Sequence, residues 1–209
     1  MEQPEYISPG DIEKRSFEII GRELEQMGIR LPAEQEPVTK RAIHTTADFE
    51  YARTLVYSDG AVETAKNLIR GGADIVTDTN MAFSGINKKK QAAFGGSVHC
   101  FMADEGVAKE AAGRGMTRAA VSMERVAKIQ KPVIIAVGNA PTALIRLHEM
   151  YREGIFCPDF IIGVPVGFVN VVAAKELILE TDIPHIVNRG RKGGSNVAAA
   201  ICNAILYLL

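Results

Sequence analysis

The chain has 209 residues, 47% of them hydrophobic, and a formal net charge of −1. That length suits one domain that buries about 70% of the surface of its unfolded chain, and the near-neutral balance excludes a disordered chain and a polyanion binder, so no nucleic-acid partner is expected. Cys100, Cys157 and Cys202 are odd in number, far apart and form no CxxC pair; this argues against a disulfide framework or a zinc site and suits a reducing, cytoplasmic setting.

The opening MEQPEYISPGD is acidic and lacks an apolar core, so it does not read as a signal peptide. Ser8-Pro9-Gly10-Asp11 forms a turn and N-cap for a helix from about residue 12 to 27. In it Phe17, Ile20, Leu24 and Met27 make one apolar face, and Ser16 lies off that face beside Arg15. Gly28 can stop this helix, and a polar connection with Pro32 and Pro37 follows. A second helical segment carries Lys40 to His44, and its pattern can be extended to Val56. Ser58-Asp59-Gly60 is a break, and residues 61–69 form a third helix ending at Gly71-Gly72.

From there short β-branched runs alternate with helical stretches. The runs are 73–77 (ADIVT), 96–101 (GSVHCF), 132–137 (PVIIAV), 159–163 (DFIIG) and 184–188 (PHIVN). Helical spacing occupies 103–112, 117–128, 140–152, 170–180 and 194–208. Strands separated by helices of 10 to 15 residues predict βαβ units and a parallel sheet covered on both faces. The expected fold is α/β, a doubly wound sheet of about five parallel strands flanked by helices, with a helical N-terminal third and one domain over 1–209. The apolar stretch 160–174 is interrupted by Pro165, Gly163, Gly167 and Asn170, too short and broken to span a bilayer, so no membrane partner is expected.

Ligands of such sheets bind outside the carboxyl ends of the strands. The loops there are Asp78-Thr79-Asn80-Met81, Gly138-Asn139-Ala140-Pro141-Thr142, Gly163-Val164-Pro165-Val166-Gly167 and residues 188–195 (NRGRKGGS). Their glycines let backbone approach a ligand, and helix N-termini attract anions. One such loop says little, because βα turns need glycine whatever they bind; four on one edge point to an anionic ligand. A dinucleotide is disfavoured, since DTNMAFSG (78–85) has no GxGxxG and no acidic residue for a ribose, and no Walker sequence is present. His44, His99, His148 and His185 never fall at ligand spacing, so no metal site is expected. His99 and His185 fall in strands as structural residues, His148 at a solvated helix position, and Lys88-Lys89-Lys90 in a solvated loop. Arg118 opens a helix, where a cation is disfavoured unless it meets an anion. His44 is the neutral-pH titrating side chain placed near the loops; a lone histidine on a partly apolar helix is more often packed and hydrogen-bonded than catalytic.

At these loops the chain resembles the precorrin-8X and cobalt-precorrin-8 methylmutases of cobalamin biosynthesis. The matching segments are EKRSF (13–17), RAIH (41–44), MTRAA (116–120), GNAPTAL (138–144), GVPVGFV (163–169) and RGRKGGS (189–195), nearly the whole chain. The resemblance implies an isomerase that moves a methyl group from C-11 to C-12 of a precorrin-8 type macrocycle, without a dissociable cofactor, in a homodimer whose active site lies near the subunit boundary. It implies His44 as the catalytic proton donor or acceptor. It implies substrate contacts at Ser16, Arg41, Arg118, Asn139, Thr142, Arg189, Gly193, Gly194 and Ser195. A macrocycle rich in carboxylates suits Arg41, Arg118, Arg189 and Arg191, whose guanidinium forks bind carboxylates bidentately. A methyl shift needs positioning and proton transfer rather than a nucleophile.

Two other classes remain at this level. An α/β methyltransferase needs an acidic ribose ligand after the second strand, for which only Asp104-Glu105 qualifies. A non-catalytic tetrapyrrole-binding protein would have no need of His44. Sequence leaves open whether the macrocycle carries cobalt, which arginine meets which carboxylate, and whether the small apolar face of Ala198, Ile201, Ala204 and Ile205 packs inside the chain or across a dimer.

Overall fold

A computed structural model describes residues 6–209; the first five residues of the acidic opening stretch lie outside the described residues. Helices α1 (Ile12–Gln26) and α2 (Glu36–Thr46) precede a single turn, α3 (Tyr51–Thr54), and a short strand, β1 (Leu55–Tyr57). Then α4 (Ala61–Arg70) leads to β2 (Asp74–Thr77), and α5 (Asn80–Gly85) with α6 (Lys88–Ala93) leads to β3 (Val98–His99). Next α7 (Glu105–Arg114) and α8 (Arg118–Val126) precede β4 (Val133–Val137) and α9 (Pro141–Arg152). The chain closes with β5 (Phe160–Gly163), α10 (Val171–Leu179), β6 (His185–Asn188) and α11 (Ser195–Tyr207).

The strands lie in the order β1-β6-β5-β4-β2-β3, and every pair except β1–β6 is parallel. Period-two alternation divides β4 between two cores, as the pleat requires. Ile134 and Ala136 face the cluster built on α1, α2, α4 and α11, whereas Val133, Ile135 and Val137 face the cluster built on α8, α9 and α10. Both faces are therefore covered, which is why the central strands β4 and β5 are apolar throughout. The chain reverses its direction of strand addition between β2 and β4, so that crevice is the topological switch point where an open α/β sheet offers a ligand site.

All five expected strands form, and β1 is a sixth. The helical pattern that the sequence allows to extend to Val56 does not continue that far. Instead α2 ends at Ala47, whose φ of 54° turns the chain, and Leu55–Tyr57 pairs antiparallel with β6, Leu55 opposite Asn188 and Tyr57 opposite Ile186. The N-terminal third is thus helical with one edge strand. Asp11 stands at the head of α1 but makes no side-chain cap; its carboxylate accepts from Ser8 Oγ at 2.6 Å. Lys88–Lys90 do not lie in a loop either. They open α6, capped by Asn87, whose side chain accepts from Lys90 N, while Lys88 Nζ donates to Phe83 O and sits over the Phe83 ring. Ala198, Ile201, Ala204 and Ile205 are buried within the single chain, where α11 packs against α2, α5 and the sheet. Among the described residues no helix is long and apolar enough to cross a membrane.

Candidate functional site

The switch-point crevice is filled by the protein itself. Asp78, immediately after β2, is fully buried and accepts from the amides of Gly138 (2.8 Å), Asn139 (2.8 Å) and Ala140 (2.7 Å). Burial pushes its pKa up, and the three amides pull against that push. The sequence expectation that this loop offers its backbone to an anion is corrected: the donors ahead of α9 are consumed by Asp78. Beside it, Thr79 Oγ1 caps α5 and shares a 2.8 Å hydrogen bond with Ser195 Oγ at the head of α11. A Cβ on Gly138 would lie 2.6 Å from Ser195 Cα, so the loops after β4 and β6 touch backbone to backbone.

The loop after β6 is held by the opposite charge. Lys175, on α10, is fully buried, and its ammonium donates to Gly190 O and Lys192 O, both at 2.8 Å. Asn188 Nδ2 also reaches Lys192 O at 2.9 Å, and Thr54 Oγ1 donates to Asn188 Oδ1 at 2.7 Å. Outside, Lys192 Nζ pairs with Asp48 and Glu50, tying the segment after α2 to this loop. Gly193 and Gly194 run at φ of +156° and +142°, and a Cβ on Gly193 would come within 2.0 Å of Val164 O. Gly193→Ala is accordingly expected to cost about 3 kcal/mol, a fall in Tm of roughly 6–12 °C by calorimetry.

Desolvation lowers the Lys175 pKa from 10.5 to about 8. Between pH 8 and 10.5 the unfolded chain therefore binds more protons at this residue than the folded one, so its contribution to stability rises with pH. The desolvation penalty is complete below the folded value. Wild type should gain on the order of 1–3 kcal/mol over Lys175→Met across that range, as read from urea midpoints. A constant difference between the two proteins would rule out a buried ammonium.

A second group of candidate residues sits on α1 and α2. Arg41 forms a bidentate pair with Glu13 (3.0 and 2.7 Å) and lies over the Phe17 and Tyr207 rings at 4.8 and 5.5 Å. Its guanidinium holds the Glu13 carboxyl below the usual range. Ser16 Oγ folds back to Ile12 O at 3.0 Å. His44 occupies the last turn of α2, exposed, with its ring 5.4 Å from that of Phe17 and no hydrogen-bond partner among the described residues. Buried Ala42 and Ile43 anchor the turn that carries it.

The structure thus brings Ser16, Arg41 and His44 together around Phe17, and Gly193, Gly194 and Ser195 together beside Thr79. Thr142 is joined to Thr117 by a 2.9 Å hydrogen bond, and Thr117 caps α8 at Arg118. Arg118 and Asn139 are exposed, and neither makes a side-chain hydrogen bond or ion pair among the described residues. Arg189 stands 3.6 Å from Glu176, and Arg191 lies 5.4 Å over the ring of Phe168, itself 83% exposed. No hydrogen bond or ion pair among the described residues joins the Ser16–Arg41–His44 group to the loop residues. His99 meets Asp74 at 3.0 Å and His185 Nδ1 meets Ile183 O at 2.7 Å, both away from these loops; His148 is half-buried on α9. Among the described residues no three His, Cys, Asp or Glu side chains stand as a metal site.

Asp78 and Lys175 were missed as supports of the site. For Lys175 the signal was the one cation of a mostly apolar helix, VVAAKELIL, whose only other charged residue is Glu176.

Fold and loops define a doubly wound α/β protein with a glycine-rich, arginine-bearing carboxyl edge. Residues 11–208 match the precorrin-8X methylmutase family. The chain is 42% identical to the cobalt-precorrin-8 methylmutase of Salmonella typhimurium, covering 96% of each chain. It is 34% identical to the precorrin-8X methylmutase of Sinorhizobium sp., covering 98% of each. The solved precorrin-8X methylmutase of Thermus thermophilus superposes with a TM-score of 0.84 at 37% identity, covering 95% of this chain and 96% of that one. The chain belongs to the precorrin-8X methylmutase family, enzymes of cobalamin biosynthesis that are isomerases.

Proposed function

We propose that this chain, a single methylmutase domain over 1–209, moves the methyl group from C-11 to C-12 of a precorrin-8 type macrocycle, with His44 exchanging the proton as the conjugation rearranges. The product is hydrogenobyrinic acid or its cobalt counterpart, cobyrinic acid. The observation that carries the reading is His44 itself. It is exposed, fixed by its helix and the Phe17 ring, and both ring nitrogens are uncommitted among the described residues. A histidine packed for structure would have its nitrogens satisfied, as those of His99 and His185 are in part. Ser16, Arg41, Arg118, Asn139, Thr142, Arg189, Gly193, Gly194 and Ser195 are the proposed substrate contacts, Arg41 after sharing or releasing Glu13.

The reaction takes place in the cytoplasm in a homodimer. The exposed Phe168 and Val169 (83% and 78%), on the loop after β5, support a site completed near a subunit boundary. The test is absorption spectroscopy on purified protein given the precursor with and without cobalt, alongside titration with the isomerised macrocycle. Conversion of either form with tight product binding supports the proposal; neither binding nor conversion overturns it. Light scattering that finds only monomer in the absence and presence of product would overturn the dimer.

A further inference from the structure

The loop after β6 has a consistent polarity. Four successive carbonyls turn into the protein: Arg189 O accepts from Asn188 Nδ2 (3.3 Å), Gly190 O from Lys175, Arg191 O from Gly167 N (3.1 Å), and Lys192 O from Lys175 and Asn188. In a trans peptide the C=O and the next N–H point in opposite directions. The amides of Gly190, Arg191, Lys192 and Gly193 therefore turn outward, and they donate to nothing among the described residues. The loop after β4 is polarised the other way, its amides drawn inward by Asp78. Of these two touching loops, the one over Lys175 presents four successive amides without a partner among the described residues, with Arg189 and Arg191 beside them.

Lys175 is the only buried lysine or arginine among the described residues, and its ammonium has no carboxylate partner. An apolar side chain would fill the same volume without the desolvation penalty. What the ammonium adds is its hold on two carbonyls. We propose that Lys175 is a positioning residue for the methylmutase reaction: by drawing Gly190 O and Lys192 O inward, it fixes the loop so that its amides and arginines receive a peripheral carboxylate of the macrocycle. This rests on the function proposed above. Carboxylates remote from the migrating methyl group contribute equally to ground-state and transition-state binding, so loss of the hold falls on KM rather than kcat.

The test compares wild type, Lys175→Met and Lys175→Gln as full chains. For Lys175→Met we expect KM for the precursor and Kd for the product to rise about 10- to 100-fold, with kcat within about threefold. Lys175→Gln keeps two N–H donors and should restore part of the affinity. In ligand-free protein, hydrogen exchange at the Gly167 amide, which donates to Arg191 O, should quicken in Lys175→Met while strands β4 and β5 stay protected. Unchanged KM and Kd, or activity lost only in proportion to the unfolded fraction, would overturn the proposal. If Lys175→Met does not fold, Lys175→Gln carries the same comparison. If wild type itself ignores the macrocycle, the proposed function fails; Gly167 exchange then still reads the hold, and unchanged protection overturns it separately.

Discussion

Replacing His44 by alanine is expected to lower kcat by about 10²–10⁴-fold while KM stays within about threefold. A positioned acid or base contributes only where a proton moves in the transition state, so its removal leaves ground-state binding intact. The side chain is exposed at the end of α2 and the core contacts of that turn come from Ala42 and Ile43, so the substitution should leave folding unchanged. Equal far-UV circular dichroism and Tm for the two proteins check this. His44→Gln keeps the polarity and much of the shape but cannot carry a proton across, and it should be as inactive as the alanine variant. A tetrapyrrole carrier would bind product equally well in all three proteins and convert precursor in none. If both variants turn over at the wild-type rate, the migrating proton is handled elsewhere, and His44 loses its role without loss of the methylmutase reaction.

Local chemistry was visible in the sequence where it is locally caused. The strands β2, β4, β5 and β6 are short β-branched runs, most of them set off by glycine or proline, and a stretch of helical spacing follows each, so pattern located them. Strand β1 was not visible, because Leu55-Val56-Tyr57 follows helical spacing without a break and becomes a strand only when β6, some 130 residues later, offers its edge. The side chains of the candidate site were visible as types, and their commitments were not. That Arg41 is held by Glu13, 28 residues earlier, depends on how α1 packs on α2. That the donors of residues 138–140 are spent on Asp78 depends on two strands lying side by side. Both facts alter the chemistry expected from the same residues. An arginine already paired must exchange one carboxylate for another, and a loop that looked like an anion cradle is already full.

Asp78 makes that second fact measurable. Asp78→Ala leaves the amides of Gly138, Asn139 and Ala140 without their acceptor. Each buried donor without a partner costs about 1–3 kcal/mol, and some strain will be relieved by water or by loop movement. A net loss of about 3–6 kcal/mol is expected, a fall in Tm on the order of 10–20 °C, against a total stability of about 5–15 kcal/mol for a typical domain. Asp78→Asn is the sharper variant. Its side chain offers one oxygen to three amides and turns an NH₂ group toward at least one of them, so donor meets donor. Were Asp78 a mere space-filler, asparagine would restore nearly all of the stability lost to alanine. Because the geometry calls for two acceptor oxygens, asparagine should remain about 2–4 kcal/mol below wild type. Calorimetry on the two variants decides between these accounts: a fall of less than about 4 °C for Asp78→Ala would mean that the three amides find other acceptors. That result would reopen the loop after β4 as a place where a carboxylate of the ligand can bind.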